Sequence, residues 1–182
     1  MLVLPFLSLS AGALFDEMLQ CKSFPKKFFV VSVCGVFILG SMAKSFAYSL
    51  LMNKKDVRFI SAEYIDSEIP SGAKIMYTKD PWIFEVPPVN PLKHSVSIIP
   101  EKDLEKAETG SFLILGELQY FLTSGNRVRE MEKKIWQMKE KGFIIRKIFA
   151  SFPRVGPFKF DYRWTLHDMI YAHPIILLFY KP

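Results

Sequence analysis

The stretch FFVVSVCGVFILGSMAKSFAYSLLM, Phe28 to Met52, decides how the rest of the chain is read. It is 25 residues long and holds one charge, Lys44. A run this long and this apolar is the pattern of a membrane-spanning helix. At about 1.5 Å per residue it reaches roughly 37 Å, enough to cross a hydrocarbon core with some tilt. It holds no proline to interrupt a helix. Everything C-terminal to it has the composition of an ordinary globular domain. The expected organisation is a membrane region over residues 1–53 and a soluble domain over residues 54–182.

Upstream, Met1 to Phe15 carries no charged side chain. Three readings compete for it. Ala11-Gly12-Ala13 resembles the small-residue cleavage site of a secretory signal, but the basic start of such a signal is missing. An interfacial amphipathic helix would confine its apolar residues to one face, and these are not confined. The favoured reading is a truncated span over residues 1–20, followed by a short turn from Asp16 to Lys27. That turn holds Lys22, Lys26 and Lys27, which places it on the cytoplasmic side by the positive-inside rule. The soluble domain then lies outside the cytoplasm. Lys54 and Lys55, just past the long span, pull the other way. Lys44 is read two ways: a functional intramembrane charge, or a lysine that snorkels toward the interface or faces neighbouring helices.

The whole chain has 182 residues and a formal charge of +6. Part of this basic excess flanks the long span and reads as membrane anchoring. A nucleic-acid partner would want a basic stripe with interleaved aromatics in the soluble part. The richest stretch there, Arg127 to Lys147, alternates with Glu130, Glu132 and Glu140, so no nucleic-acid partner is expected. The two cysteines, Cys21 and Cys34, both fall in the membrane region. A disulfide framework or a thiolate zinc site in the soluble domain is thereby excluded.

The soluble part alternates helix and strand signals. Asp56 to Ile65 has apolar residues at helical spacing, with Asp56 as N-cap or first-turn acid. Pro70-Ser71-Gly72 ends that helix in a turn. Lys74 to Thr78 reads as a strand. Asp80 to Pro91 holds four prolines and reads as an ordered loop carrying Trp82, Phe84 and Val86. Ser95 to Ile99 alternates only weakly. Pro100 to Ala107 reads as a short helix with acids in its first turn. Ser111 to Gly116 is a near-continuous apolar run, the pattern of a strand buried on both faces. Val128 to Lys141 is an amphipathic helix stopped by Gly142. Phe143 to Phe149 and Pro174 to Tyr180 complete the strands. The fold class expected is membrane helices plus α/β: two N-terminal hydrophobic helices, then a small open-sheet α/β domain of two or three layers.

Candidate chemistry is sparse. His167, Asp168 and His173 are the best metal-ligating types, but a spacing of six fits neither a helical pair nor a simple hairpin, and no metal site is assigned. Asp161, Asp168 and Glu117 are the carboxylates available for acid–base work, and nothing in their spacing pairs any two. Asp161 sits in Phe158-Lys159-Phe160-Asp161-Tyr162-Arg163-Trp164. That segment reads as a structured surface loop or as an aromatic platform for a sugar face, with Asp161 as polar partner. No nucleophile elbow surrounds Ser111 or Ser124, no phosphate-binding glycine motif occurs, and no cofactor is expected.

Several pieces together resemble a known family. Met1-Leu2-Val3-Leu4-Pro5-Phe6-Leu7-Ser8-Leu9-Ser10-Ala11-Gly12-Ala13 is similar to a late span of multi-spanning GT-C type glycosyltransferases, the dolichyl-phosphate-mannose protein mannosyltransferases and the aminoarabinose transferase-like enzymes. In those proteins a short cytoplasmic loop, one last span and an extracytoplasmic α/β domain follow. The helix Asp56 to Ile65, the turn Ile69 to Ile75 and the closing Tyr171-Ala172-His173-Pro174-Ile175-Ile176 resemble the pieces of that domain in order. The resemblance runs over most of the chain, and the order of the pieces carries it rather than any one motif. It implies a C-terminal fragment or subunit of a glycosyltransferase that uses a polyprenyl-phosphate sugar. Its partners would be membrane lipid, the remaining transmembrane part, and the donor and acceptor through the parent enzyme. The family's acidic catalytic loop has no counterpart here, so no catalytic residue is carried over. Acceptor-binding candidates are Trp82, Asp161, Tyr162, Trp164 and His167. The alternative is a non-catalytic, membrane-anchored binding or assembly module.

Overall fold

The computed structural model describes residues 12, 13, 16, 17, 20, 24–81, 85–117, 127–160 and 174–182. Helix α1 runs from Phe24 to Met52, starting four residues before the apolar stretch proper. Among the described residues one helical stretch, Val31–Glu68, which takes in most of α1 and bends on into the next helix, is long and apolar enough to cross a membrane. Only 11% of its most apolar portion is buried. Phe28, Phe29, Phe37 and Leu39 are each about two-thirds exposed. A core helix of a soluble protein would hide such side chains, because each costs about 1.5–3 kcal/mol to leave in water.

Two compact units divide the chain at Phe46/Ala47. Over the expected first span, residues 1–20, only Gly12, Ala13, Asp16, Glu17 and Gln20 are described; all five are helical, and a separate first hydrophobic helix is not shown. Gln20 Nε2 donates to Asp16 Oδ2 at 3.0 Å, a helical i, i+4 contact. The expected turn from Asp16 to Lys27 is therefore corrected: its described beginning is helical, and α1 has already started at Phe24. The physical reason is that Asp16, Glu17 and Gln20 are compatible with a helix and no breaker stands among them. The remainder of the expected 1–20 span lies outside the described residues.

In the second unit, the last turns of α1 bury Ala47, Tyr48 and Leu51. A break over residues 53–56 leads to α2, Val57–Glu68. Asp56 is its N-cap, its carboxylate accepting from the Arg58 amide at 2.8 Å. The Arg58 guanidinium closes back on the same carboxylate. The turn Pro70–Ala73 follows, closed by the Ala73 amide on the Pro70 carbonyl at 3.1 Å. Gly72 supplies the positive φ, +83°, that its third position needs.

The strands are β1 (Lys74–Tyr77), β2 (Ser95–Ile98), β3 (Phe112–Gly116), β4 (Ile144–Phe149), β5 (Arg154–Val155), β6 (Phe158–Lys159) and β7 (Ile176–Tyr180). Five of them form one mixed sheet in the order β2-β1-β3-β7-β4. β1 is parallel to β2 and β3, while β7 is antiparallel to both β3 and β4. β5 and β6 form a separate hairpin. The weakly patterned Ser95 segment is an edge strand, its side chains largely exposed.

The sheet is covered on both faces. On one, Val57, Ile65 and Ile69 around α2 pack on Ile75, Tyr77, Ile114, Ile176 and Leu178. On the other, Met138 of α3 (Arg127–Glu140) and Leu104 of a 3₁₀ turn (Glu101–Lys106) pack on Met76, Leu113, Leu115, Leu177 and Phe179. Alternate residues of each strand thus serve opposite layers, so β3 and β7 must be apolar throughout. α3 ends as its sequence requires. Gly142 takes φ +82°, and the Phe143 amide reaches back to the Met138 carbonyl at 3.0 Å.

Candidate functional site

A cleft of about 720 Å³ opens on the α2 face of the sheet. Its walls come from places far apart in sequence. α2 supplies Tyr64 and Glu68, the turn after it Ser71 and Gly72, the lead into β3 Gly110, and the strands Phe112, Arg146 and Tyr180. Phe112 and Tyr180 are direct cross-strand partners, their rings 5.1 Å apart and tilted by 43°. Tyr64 stands edge-on to Phe149 at 5.3 Å. The Lys147 ammonium lies 3.8 Å over the Tyr64 ring, which fixes that ring by cation–π attraction.

Arg146 reaches the cleft because β4 is irregular. Its register against β7 slips between Ile145 and Lys147, leaving Arg146 without a ladder partner. Such a bulge re-aims a side chain, and here it brings a guanidinium to the rim. Aromatic rings, one guanidinium and one carboxylate make a surface suited to a flat or sugar-like ligand carrying polar substituents. The cleft sits at the amino ends of β1 and β3. Open α/β sheets more often bind ligands at the carboxyl ends.

The carboxyl ends of β1 and β3 are differently built. A smaller cleft of about 310 Å³ is lined by Tyr77, Val86, Val96 and four prolines, Pro81, Pro87, Pro88 and Pro91. The Tyr77 hydroxyl donates to the Pro87 carbonyl at 3.5 Å. Burial pushes the Tyr77 phenol far above its ordinary value, so it stays protonated. Glu117 follows β3 and is buried. Its carboxylate accepts from the Ile175 amide at 2.9 Å, and its own amide donates to the Ile175 carbonyl at 2.8 Å. That double contact ties the entry of β7 to the end of β3.

One buried histidine was not singled out by the sequence reading. His94 Nε2 lies 3.5 Å from Asp66 Oδ1, with the His94 side chain fully buried. The two side chains are neighbours across the segment before β2 and α2, with no hydrogen bond between them among the described residues. Among the described residues, no three metal-ligating side chains come together.

The sequence-derived acceptor candidates Trp82, Asp161, Tyr162, Trp164 and His167 lie outside the described residues, as do Asp168 and His173. The residues that the fold does bring together at the 720 Å³ cleft carried no shared sequence signal. Tyr64 and Tyr180 are 116 positions apart, and only the strand order makes them neighbours. Comparison of the chain with protein-family models, with curated proteins and with solved structures found no match.

Proposed function

We propose that this chain is the membrane-anchored C-terminal part of a GT-C type glycosyltransferase that takes sugar from a polyprenyl-phosphate carrier. In this reading α1 is the last span and the α/β domain lies outside the cytoplasm. Further membrane helices hold the donor and the catalytic acid. The α/β domain contacts the acceptor or steadies the membrane core.

The observation that carries the reading is the order of the pieces. An apolar helix is joined by a four-residue link to a capped helix, a Pro-Ser-Gly turn and a sheet that the C-terminal strand completes. The resemblance to the family rests on that same order. In this reading the aromatic cleft with Arg146 and Glu68 offers the acceptor a surface, and Trp82, Asp161, Tyr162, Trp164 and His167 stay acceptor-binding candidates from the sequence alone. A second reading draws on the cleft alone: a membrane-anchored binding or assembly module whose aromatic floor holds a ligand without chemistry.

Photo-crosslinking from α1 separates the two. A photoreactive residue is placed at Phe37 or Leu39, both exposed on the helix, in cells of the native host. The glycosyltransferase reading expects crosslinks to other spans of a multi-spanning membrane protein, on the same or a separate polypeptide. Crosslinks to lipid alone overturn it and leave the module.

A further inference from the structure

Three basic residues follow α1 closely: Lys54, Lys55 and Arg58. Two of them are neutralised. Lys55 pairs with Glu63, and Arg58 with Asp56. Lys54 instead lines a cleft of about 320 Å³ together with Ala150, Ser151, Phe152, Arg154 and Lys159. Among the described residues, no acidic side chain lines this cleft. Neither Lys54 nor Arg154 has an acidic partner among the described residues.

The β5–β6 hairpin makes the concentration of charge harder to explain as chance. Arg154 and Lys159 are direct cross-strand partners. Like charges placed opposite one another destabilise a strand pair. The hairpin is only two residues deep on each side, turning at Gly156, so it has little pairing energy to offset the repulsion. The Lys159 ammonium lies 3.5 Å over the Phe152 ring, which holds it toward the cleft. An anion seated between the two cations would turn a destabilising pair into a clamp.

The position of Lys54 selects the anion. It stands two residues beyond Met52, the end of α1. Two residues of extended chain reach at most about 7 Å. If α1 spans the membrane, Lys54 and its cleft therefore lie at the level of the phospholipid phosphates. We propose that Lys54, Arg154 and Lys159 form a binding site for the phosphate of an anionic phospholipid headgroup, fixing the α/β domain against the membrane surface. The proposal rests on α1 as a span and is independent of any glycosyltransferase activity. The cleft volume is at the small end of ligand pockets, about 300–1,000 Å³, as suits a headgroup rather than a whole lipid.

The full chain in neutral detergent is titrated with short-chain phosphatidylglycerol or phosphatidylcholine, binding being read by calorimetry. Phosphatidylglycerol is expected to bind at least tenfold more tightly. Lys54→Gln should weaken it about fivefold, at about 1 kcal/mol for each basic residue near a charged surface. Arg154→Gln with Lys159→Gln should weaken it about 30-fold on the same scale. Lys102→Gln, an exposed lysine on the 3₁₀ turn, should change nothing. Equal affinity for the two lipids overturns the proposal. So does unchanged phosphatidylglycerol binding in both cleft variants; Lys54 is outside the hairpin, so its variant tests the site even if the double variant unfolds. A third arm uses inorganic phosphate. Weak competition supports a headgroup site, whereas an affinity equal to that of phosphatidylglycerol overturns it in favour of a soluble phosphate.

Discussion

Gly116→Ala tests the way the sheet is roofed at the carboxyl end of β3. Gly116 is the last residue of that strand and pairs with Ile176. A Cβ built on it would stand 2.4 Å from the Glu85 carbonyl oxygen, 3.4 Å from the Glu85 carbonyl carbon and 3.8 Å from Val86 Cγ1. The nearest obstacle is backbone, so no rotamer change relieves the clash. Either the segment at Glu85 lifts or β3 shifts against β7. Overpacking of this kind costs about 1–3 kcal/mol, and a 2.4 Å approach belongs at the upper end. Alanine also restricts the unfolded chain, which returns about 0.4–1 kcal/mol. The net loss is about 2 kcal/mol, roughly a 30-fold fall in the folding equilibrium. With a urea slope of about 2 kcal/mol/M, the midpoint should drop by about 1 M. The assay is urea unfolding of the full chain in neutral detergent, followed by tryptophan fluorescence. Gly110→Ala is the control. Its φ is +82° with open space around the added carbon, so the cost there is one of backbone conformation, about 1–2 kcal/mol. Asparagine should recover much of that loss at position 110 and worsen it at 116. A Gly116→Ala midpoint within 0.2 M (about 0.4 kcal/mol at that slope) of the parent would refute the steric argument.

Three further outcomes are expected. The Tyr77 phenol is protonated in the folded state well beyond the pH at which it ionises unfolded, about 10. Its contribution is complete below pH 10 and is lost above it, because the unfolded state then releases a proton that the folded state keeps; the slope approaches about 1.4 kcal/mol per pH unit. Stability of the parent relative to Tyr77→Phe, measured by urea unfolding between pH 9 and 11, should fall by that slope above pH 10, and a constant difference would contradict it. Leu178→Ala, at a fully buried site on β7 between β3 and β4, should cost about 2–5 kcal/mol, whereas Ile98→Ala on the exposed edge should cost under about 1 kcal/mol; similar losses at both sites would contradict the strand order. With Cys21 and Cys34 replaced by alanine, Leu92→Cys places a thiol at a 96% exposed position. A membrane-impermeant maleimide should label it in intact cells if the domain is extracytoplasmic, and labelling only after permeabilisation would reverse the orientation.

The elements of the α/β domain were legible where burial is complete. Phe112–Leu115 is apolar without interruption because β3 is covered by α2 on one face and by α3 and the 3₁₀ turn on the other. Ser95–Ile98 was ambiguous for the opposite reason: an edge strand with exposed side chains is under little patterning pressure. The antiparallel insertion of β7 between β3 and β4 had no local signature, since periodicity reports which face a residue takes and not which strand lies beside it. Of the β5–β6 hairpin, only Phe158-Lys159 falls in the segment that reads as an aromatic loop; Arg154-Val155 carries no reading, although Gly156-Pro157 between Val155 and Phe158 is a two-residue turn signal. The cleft at Tyr64, Arg146 and Tyr180 was illegible, because it depends on that strand order and on a bulge in β4. The residues the sequence did favour, from Trp82 to His167, lie outside the described residues.

Alkaline carbonate extraction of membranes containing the full chain tests whether α1 spans the bilayer. α1 offers an exposed apolar surface from Phe28 to Phe46, of the length and composition that a bilayer core would cover. A protein held by a spanning helix stays with the membrane when peripheral contacts and surface charge pairs are stripped at high pH. The chain is expected to remain in the membrane pellet. Its release into the supernatant would contradict the spanning helix, and with it the anchored α/β domain and the lipid site at Lys54.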